Sequence, residues 1–151
     1  MVTLARSISR SNDTGRLLTG LTLLGLSLRL AALRFDQVLT PDGVDYVTIS
    51  GHLSLGFVRE AITAWTPPLY PILIFLGSTV VGDHEFAGRL ISVIAGSLLV
   101  VPVFFLLRRG YDQRTATWGA LLTALHPLFI YYSIQVLTEA TYALCFFCAV
   151  L

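Results

Sequence analysis

Two carboxylates in an otherwise apolar chain are the residues best suited to carry out chemistry. Asp42 is one of six acidic residues between positions 36 and 85, and Glu139 lies near the start of the last apolar segment. A carboxylate facing a binding site can act as a general base or hold a divalent cation. An ionisable residue at a membrane segment is also a functional candidate by default. We therefore predict that Asp42 and Glu139 approach one site on the outer face of a membrane.

Both carboxylates also have a structural interpretation. An aspartate before a helix is a good N-cap, and Asp42-x-x-Asp45 resembles a capping box. Glu139 could make a structural hydrogen bond near the membrane interface. Spacing and composition leave both alternatives open.

The composition indicates an integral membrane protein. Of the 151 residues, 55% are hydrophobic and only 13% are charged, whereas soluble domains carry roughly 25% charged residues. The mean hydropathy is +0.76. These values argue against a soluble nucleic-acid binder, a disordered tail and an ordinary cytosolic enzyme. The ten basic residues are all arginine and are too sparse for a nucleic-acid footprint.

Four apolar segments are long enough, or nearly long enough, to be membrane spans. We predict spans over residues 17–35, 86–107 and 115–132, and an incomplete one over 137–151. Arg29 and Arg34 lie near the end of the first span. Either both snorkel to the headgroups, or one faces a protein interior and meets a lipid phosphate.

Two further helices should lie at the membrane surface. Residues 45–55 have an amphipathic pattern, and residues 68–81 would reach only ~21 Å as a helix, against a hydrocarbon core of ~30 Å. The predicted fold class is therefore an all-α integral membrane protein, a transmembrane helix bundle with two juxtamembrane interfacial helices after the first span.

The arginine distribution predicts the orientation of the chain. Short cytoplasmic loops carry excess Arg and Lys. Three arginines lie in the N-terminal tail, residues 1–16, and three more in the loop 108–114. Both should be cytoplasmic, which makes residues 36–85 external. The absence of lysine favours a bacterial inner (plasma) membrane as the location.

Four short motifs resemble those of the polytopic C-type glycosyltransferases, the protein-mannosyltransferase-like and lipid-A-sugar-transferase-like enzymes. They occur in the family's order, and the similarity runs from about residue 17 to 151. The motifs are Asp42-x-x-x-Tyr46-x-x-Ile49-Ser50, Thr66-Pro67-Pro68-Leu69-Tyr70-Pro71, Phe86-Ala87-Gly88-Arg89-Leu90-Ile91-Ser92 and Leu137-Thr138-Glu139-Ala140-Thr141-Tyr142.

The resemblance implies transfer of a sugar from a polyprenyl-phosphate donor to a lipid, glycan or protein acceptor. It implies that Asp42 is the catalytic base, with Glu139 as a second catalytic candidate. The family's paired acidic residue is replaced here by Gly43, and Asp45 could substitute for it. The predicted substrate-binding residues are Asp45, Tyr46 and Arg89. A divalent metal ion is a possible cofactor, but its ligands are unknown.

Two other classes of protein compete with the enzyme. The chain could be a transporter fragment, although it shows no internal repeat or midplane acid. It could also be a membrane subunit without catalytic activity. Because residues 137–151 end without a flanking charge or cap, we expect an N-terminal piece of a longer protein that is inactive alone.

Overall fold

The computed structural model of the chain describes residues 2–35, 38–59 and 66–151, with side chains from residue 12 onward. All regular secondary structure in these ranges is helical. The helices are α1 (Val2–Ala32), α2 (Pro41–Ser54), α3 (Leu69–Val81), α4 (His84–Leu98), α5 (Val100–Gly110), α6 (Gln113–Leu125), α7 (Pro127–Ile134) and α8 (Glu139–Val150).

Two of these stretches are long and apolar enough to cross a membrane. They are Asn12–Ala32 in α1 and His84–Gly110, which combines α4 and α5. A third candidate exists if α7 and α8, which are bent by 115° at their junction, are counted as one span. The second stretch contains the predicted span 86–107. At 1.5 Å per residue its 27 residues measure ~40 Å.

The first helix is longer than the sequence suggested. The predicted tail, residues 1–16, is helical from Val2 and continues into the apolar part of α1. The apolar pattern starts at Leu17, inside this helix. Leu18 is the first buried apolar residue among the described side chains.

Proline divides two of the predicted spans. Pro102 has no N–H and its ring crowds the carbonyl of Leu98, which places a break at Leu99 between α4 and α5. The predicted span 115–132 is not one helix, because α6 ends at Leu125 and α7 starts at Pro127. His126 between them is extended, with ψ of 123°, as expected for a residue before proline.

The two short apolar helices lie close to their predicted positions. Helix α3 has 13 residues, or ~20 Å, and ends at Gly82 in the left-handed conformation that glycine adopts without strain. Helix α2 starts at Pro41 instead of residue 45. Proline at the first helical position is favourable because its missing N–H would have no partner there.

Two apolar clusters hold the helices together. One joins α1, α5 and α6, where three alanines on α6 allow close approach of the neighbouring helices: Leu18, Val100, Phe104, Ala116, Ala120 and Ala124. The other joins α2, α3, α4 and the residues before α8: Tyr46, Tyr70, Ile74, Ala87, Val136 and Leu137. The second cluster lies beneath both candidate carboxylates.

Candidate active site

Asp42 lies in the first turn of α2 with its side chain exposed. The helix is capped by Thr40, whose side-chain oxygen accepts a hydrogen bond from the Gly43 N–H at 3.1 Å. The capping interpretation of Asp42 is therefore wrong. A carboxylate in the first turn of a helix still interacts favourably with the helix dipole. Asp42 is thus a solvent-accessible carboxylate without a capping function.

Gly43 brings the start of α2 against the segment that joins α7 to α8. We call this segment, residues 135–138, the α7–α8 linker. A Cβ atom at Gly43 would lie 3.1 Å from the Val136 carbonyl oxygen, which is tight backbone packing. Glycine at position 43 therefore permits the close approach of α2 to the linker.

Glu139 is the first residue of α8 and follows directly after the same linker. Its side chain is exposed. Only Leu137 and Thr138 separate it from Val136, so Asp42 and Glu139 both lie close along the chain to the contact between Gly43 and the linker. Glu139 also lines a cavity of about 170 Å³ between α4, α7 and α8.

A buried polar path supports the linker from below. The Tyr46 ring packs edge-on against Tyr70, with centroids 5.2 Å apart. The Tyr70 hydroxyl lies 2.7 Å from Ser92 Oγ and 3.0 Å from the Gly88 carbonyl oxygen. Ser92 Oγ donates to the Leu137 carbonyl at 3.2 Å. Burial raises the pKa of the Tyr70 hydroxyl, and the negative charge of Glu139 raises it further. Tyr70 therefore stays neutral as part of this path.

Arg89 anchors the end of α7, directly before the linker. Its side chain is 6% exposed. Nε donates to Glu85 at 3.0 Å, and one Nη donates to the Ile134 carbonyl at 3.2 Å. The other Nη lies 3.5 Å from the Val38 carbonyl. Because α7 ends at Ile134, its carbonyl has no helical donor, and the guanidinium supplies one. Arg89 thus ties α4 both to the end of α7 and to the chain entering α2.

The remaining predicted site residues lie on α2. Tyr46 is buried in the apolar cluster, and Asp45 is half-buried. Further along the helix, buried Ser50 forms a 2.7 Å hydrogen bond with Nδ1 of His84. This contact fixes α2 against the start of α4. The structure therefore places Asp42 and Glu139 near the linker with exposed side chains, whereas Tyr46 and Arg89 are buried in the packing around it.

Among residues 12–35, 38–59 and 66–151, no group of three or more His, Cys, Asp or Glu side chains could hold a metal ion. The described residues therefore do not form a metal site of their own. The free cysteines Cys145 and Cys148 are exposed on α8.

Sequence reasoning missed three of the residues that build this site. Thr40 was identifiable as the cap, since Thr-Pro is a typical start of a helix. Tyr70 and Ser92 belong to the second and third motifs, but spacing alone does not show that they touch across 22 residues. The motif residues are thus explained by contact: Tyr46, Tyr70, Arg89 and Ser92 surround the linker that precedes Glu139.

The apolar helices and the composition are those of a helical membrane protein. The family model for dolichyl-phosphate-mannose-protein mannosyltransferase matches residues 66–151, which is more than half of the chain. The chain belongs to this glycosyltransferase family. No curated protein and no solved structure gave a significant match.

Proposed function

We propose that this chain forms part of a membrane glycosyltransferase that moves a sugar from a polyprenyl-phosphate donor to an acceptor hydroxyl. One observation carries the proposal: motif residues from four separate segments converge on the α7–α8 linker, beside two exposed carboxylates. The family match covers three of these segments.

Asp42 is the proposed general base. It would take the proton from the acceptor hydroxyl while that oxygen attacks the anomeric carbon of the donor sugar. The bond from the anomeric carbon to the phosphate oxygen breaks, and the polyprenyl phosphate leaves with the electron pair. Attack from the acceptor side inverts the anomeric centre, by analogy with inverting glycosidases. Exposure of Asp42 suits this role, because the base must reach a substrate.

The other predicted site residues take different roles in this proposal. Glu139 is the second carboxylate at the linker and the alternative base. Asp45 is half-buried one turn beyond Asp42 and remains a candidate for substrate binding. Arg89 and Tyr46 are buried and engaged with protein partners, so we propose that they position the linker and α2.

The proposed orientation follows the arginine asymmetry. The N-terminus and the loop 108–114 would face the cytoplasm of a bacterial cell, and α2 and α3 would lie on the outer surface of its inner membrane. Single cysteines at Thr48 and Gln113, with Cys145 and Cys148 replaced by serine, test this orientation. An impermeant thiol reagent should label Thr48→Cys in intact cells and leave Gln113→Cys unlabelled. The reverse pattern would refute the orientation.

The catalytic proposal is tested by Asp42→Asn in the full gene product, assayed in its native membrane with polyprenyl-phosphate-linked radiolabelled mannose. Thr40 caps the helix, so the variant should insert and fold normally. Transfer should fall by a factor on the order of 10² to 10⁴. Asp45→Asn, on the same helix, is the matched control and should lose much less.

Near-normal transfer by Asp42→Asn would contradict its role as the base. In that case Glu139→Asn, with the same assay, would decide whether the second carboxylate carries the reaction.

A further inference from the structure

Arg29 is a buried cation that uses only part of its hydrogen-bonding capacity. It lies in the last turn of α1, and its side chain is completely buried. One Nη donates to the Gly25 carbonyl at 3.1 Å and to the Ala124 carbonyl at 3.2 Å. Nε and the other Nη have no hydrogen-bond partner. A guanidinium carries five N–H donors, so three remain available.

The contact with Ala124 accounts for one Nη of this guanidinium but not for Nε or the other Nη. Because α6 ends at Leu125 and Pro127 has no N–H, carbonyls in the last turn of α6 lack helical donors. Backbone groups in a membrane must be satisfied within the protein, and Arg29 satisfies one of them. A neutral donor would suffice for that purpose. The unmatched positive charge therefore indicates an anionic partner.

The depth of Arg29 favours an anion carried by a lipid. The stretch α4–α5 is ~40 Å long, about 10 Å more than the hydrocarbon core. Gly96, which lies beside Arg29, is 12 residues or ~18 Å from the start of α4. Arg29 therefore lies roughly 8 to 18 Å below the headgroup boundary at the α2 end, according to how the excess length is divided between the two ends. A charge at this depth is costly unless it is paired.

A cavity lies next to the part of α4 and α7 that packs against Arg29, although Arg29 is not among the residues that line it. It has a volume of about 170 Å³, many times what one water needs. Gly96 and Ser133 form the wall nearest to Arg29, since a Cβ at Gly96 would lie 3.1 Å from Arg29 Nε. Aromatic rings of Phe129 and Tyr132 line another wall, and Glu139 lies on the α8 side. The cavity thus combines an apolar lining with a neighbouring cation.

We propose that Arg29 binds the phosphate group of a membrane lipid that enters this cavity. Nε and the free Nη would donate in parallel to two phosphate oxygens, the geometry in which guanidinium binds oxyanions best. The phosphate could belong to a phospholipid or to a polyprenyl phosphate. In the second case the site deepens the proposed function, because Glu139 lines the same cavity. Binding itself requires no sugar transfer.

The test is a lipid-dependent shift in unfolding temperature of the delipidated full-length protein in dodecyl maltoside. The added probes are undecaprenyl phosphate, phosphatidylglycerol and undecaprenol, which lacks the phosphate. At saturation a phosphate-bearing lipid should raise the unfolding temperature by on the order of 5 °C, and undecaprenol should not. Arg29→Gln should lose the shift. Arg34→Gln, which removes an exposed arginine just beyond α1, should keep it.

The pattern of shifts identifies the source of the phosphate. A shift with undecaprenyl phosphate alone assigns the site to a polyprenyl phosphate, and equal shifts with both lipids assign it to lipid phosphates in general. A full shift in Arg29→Gln, or an equal shift with undecaprenol, would overturn the proposal. If Arg29→Gln does not fold, Arg29→Lys keeps the charge but loses the paired donors. It should then bind undecaprenyl phosphate at least fivefold more weakly, and unchanged binding would also overturn the proposal. Because no transfer is measured, failure here is distinct from failure of the proposed function.

Discussion

Two buried arginines each bind a carbonyl at the end of a helix, and they do so under different electrostatic conditions. Arg29 on α1 donates to a carbonyl at the end of α6, and Arg89 on α4 donates to a carbonyl at the end of α7. Arg89 is also paired with Glu85 at 3.0 Å. Arg29 has no ion pair among the described residues and two unpartnered nitrogens.

This difference distinguishes an arginine with a structural role from one whose guanidinium still has unused hydrogen-bond donors. Arg89 has both its charge and its donors engaged by the protein, so its contribution is to stability and to the placement of the linker. Arg29 carries the cost of a buried charge with only partial compensation. Natural proteins retain such groups where a ligand or partner completes them, and this expectation underlies the lipid-phosphate proposal.

The largest expected effect is a difference in unfolding free energy between the same substitution made at the two arginines. Arg89→Met removes donors from Ile134 and Val38 and the counterion of Glu85, and should lower the free energy of unfolding by about 3 kcal/mol. Arg29→Met removes an incompletely paired buried charge and should change stability by less than ~1 kcal/mol in delipidated protein. Thermal or steric-trap unfolding in detergent measures both. Equal losses would remove the distinction between the two sites.

The next largest effect on stability is expected from overpacking beside the Arg29 guanidinium. In Gly96→Ala the new Cβ would collide with the Ser133 side chain and lie 3.1 Å from Arg29 Nε. We expect a loss of roughly 1–3 kcal/mol in unfolding free energy from overpacking. Gly20→Ala on α1 is the control, since its Cβ would meet nothing within 4 Å. It should be neutral or slightly stabilising. A neutral Gly96→Ala would show that the space beside Arg29 is wider than the structure indicates.

A smaller effect is expected on the Arg89 side of the comparison. Tyr70→Phe deletes the hydroxyl that contacts Ser92 and the Gly88 carbonyl, and should cost about 1 kcal/mol. Tyr131→Phe, at an exposed position on α7, should be neutral. The same unfolding measurement applies to both. If the two variants behave alike, the polar path beneath the linker contributes nothing to stability.

The smallest effect on stability is expected at Asp112, which caps the start of α6. This exposed cap serves as a reference for the buried contacts above. Its carboxylate accepts a hydrogen bond from Thr115 N–H at 2.9 Å, and the side-chain and backbone hydrogen bonds from Thr115 lower the pKa of Asp112. A lowered pKa in the folded state means stability that is present above the ordinary aspartate pKa of ~3.9 and is lost as pH falls below it. Asp112→Asn still caps the helix but does not titrate. Any stability advantage of wild type over this variant at pH 7 should therefore shrink at pH 3, and a constant difference would contradict the capping contact.

The sequence predicted the helical class, the apolar lengths and the four motifs, because these depend on local composition and spacing. The break at His126 was also predictable, since proline restricts the backbone conformation of the residue before it. The continuous apolar run 115–132 nevertheless favoured a single span. Burial of Arg29 could not be predicted. Its position near a helix end is compatible with snorkelling, and only packing against α4 and α6 distinguishes the alternatives.

The candidate site was predicted in part for the same reason. Asp42 and Glu139 could be proposed from charge and motif position, yet their common contact with the linker depends on Gly43 lying against Val136. That contact joins residues more than 90 positions apart. No local pattern specifies it, so the site became visible only from the packing of α2 on the linker.

The central claim is that the N-termini of α2 and α8 meet at the α7–α8 linker, and a distance measurement tests it most directly. Spin labels on Asp42→Cys and Glu139→Cys, with Cys145 and Cys148 replaced by serine, report their separation by pulsed electron resonance. The Gly43–Val136 contact, together with one Cα–Cα step from Asp42 to Gly43 and three from Val136 to Glu139, limits the Cα–Cα distance to below about 22 Å. The control pair Asp42→Cys and Gln113→Cys should be much farther apart, on the order of the ~40 Å length of α4–α5. A separation for the first pair as long as that of the control would contradict the account.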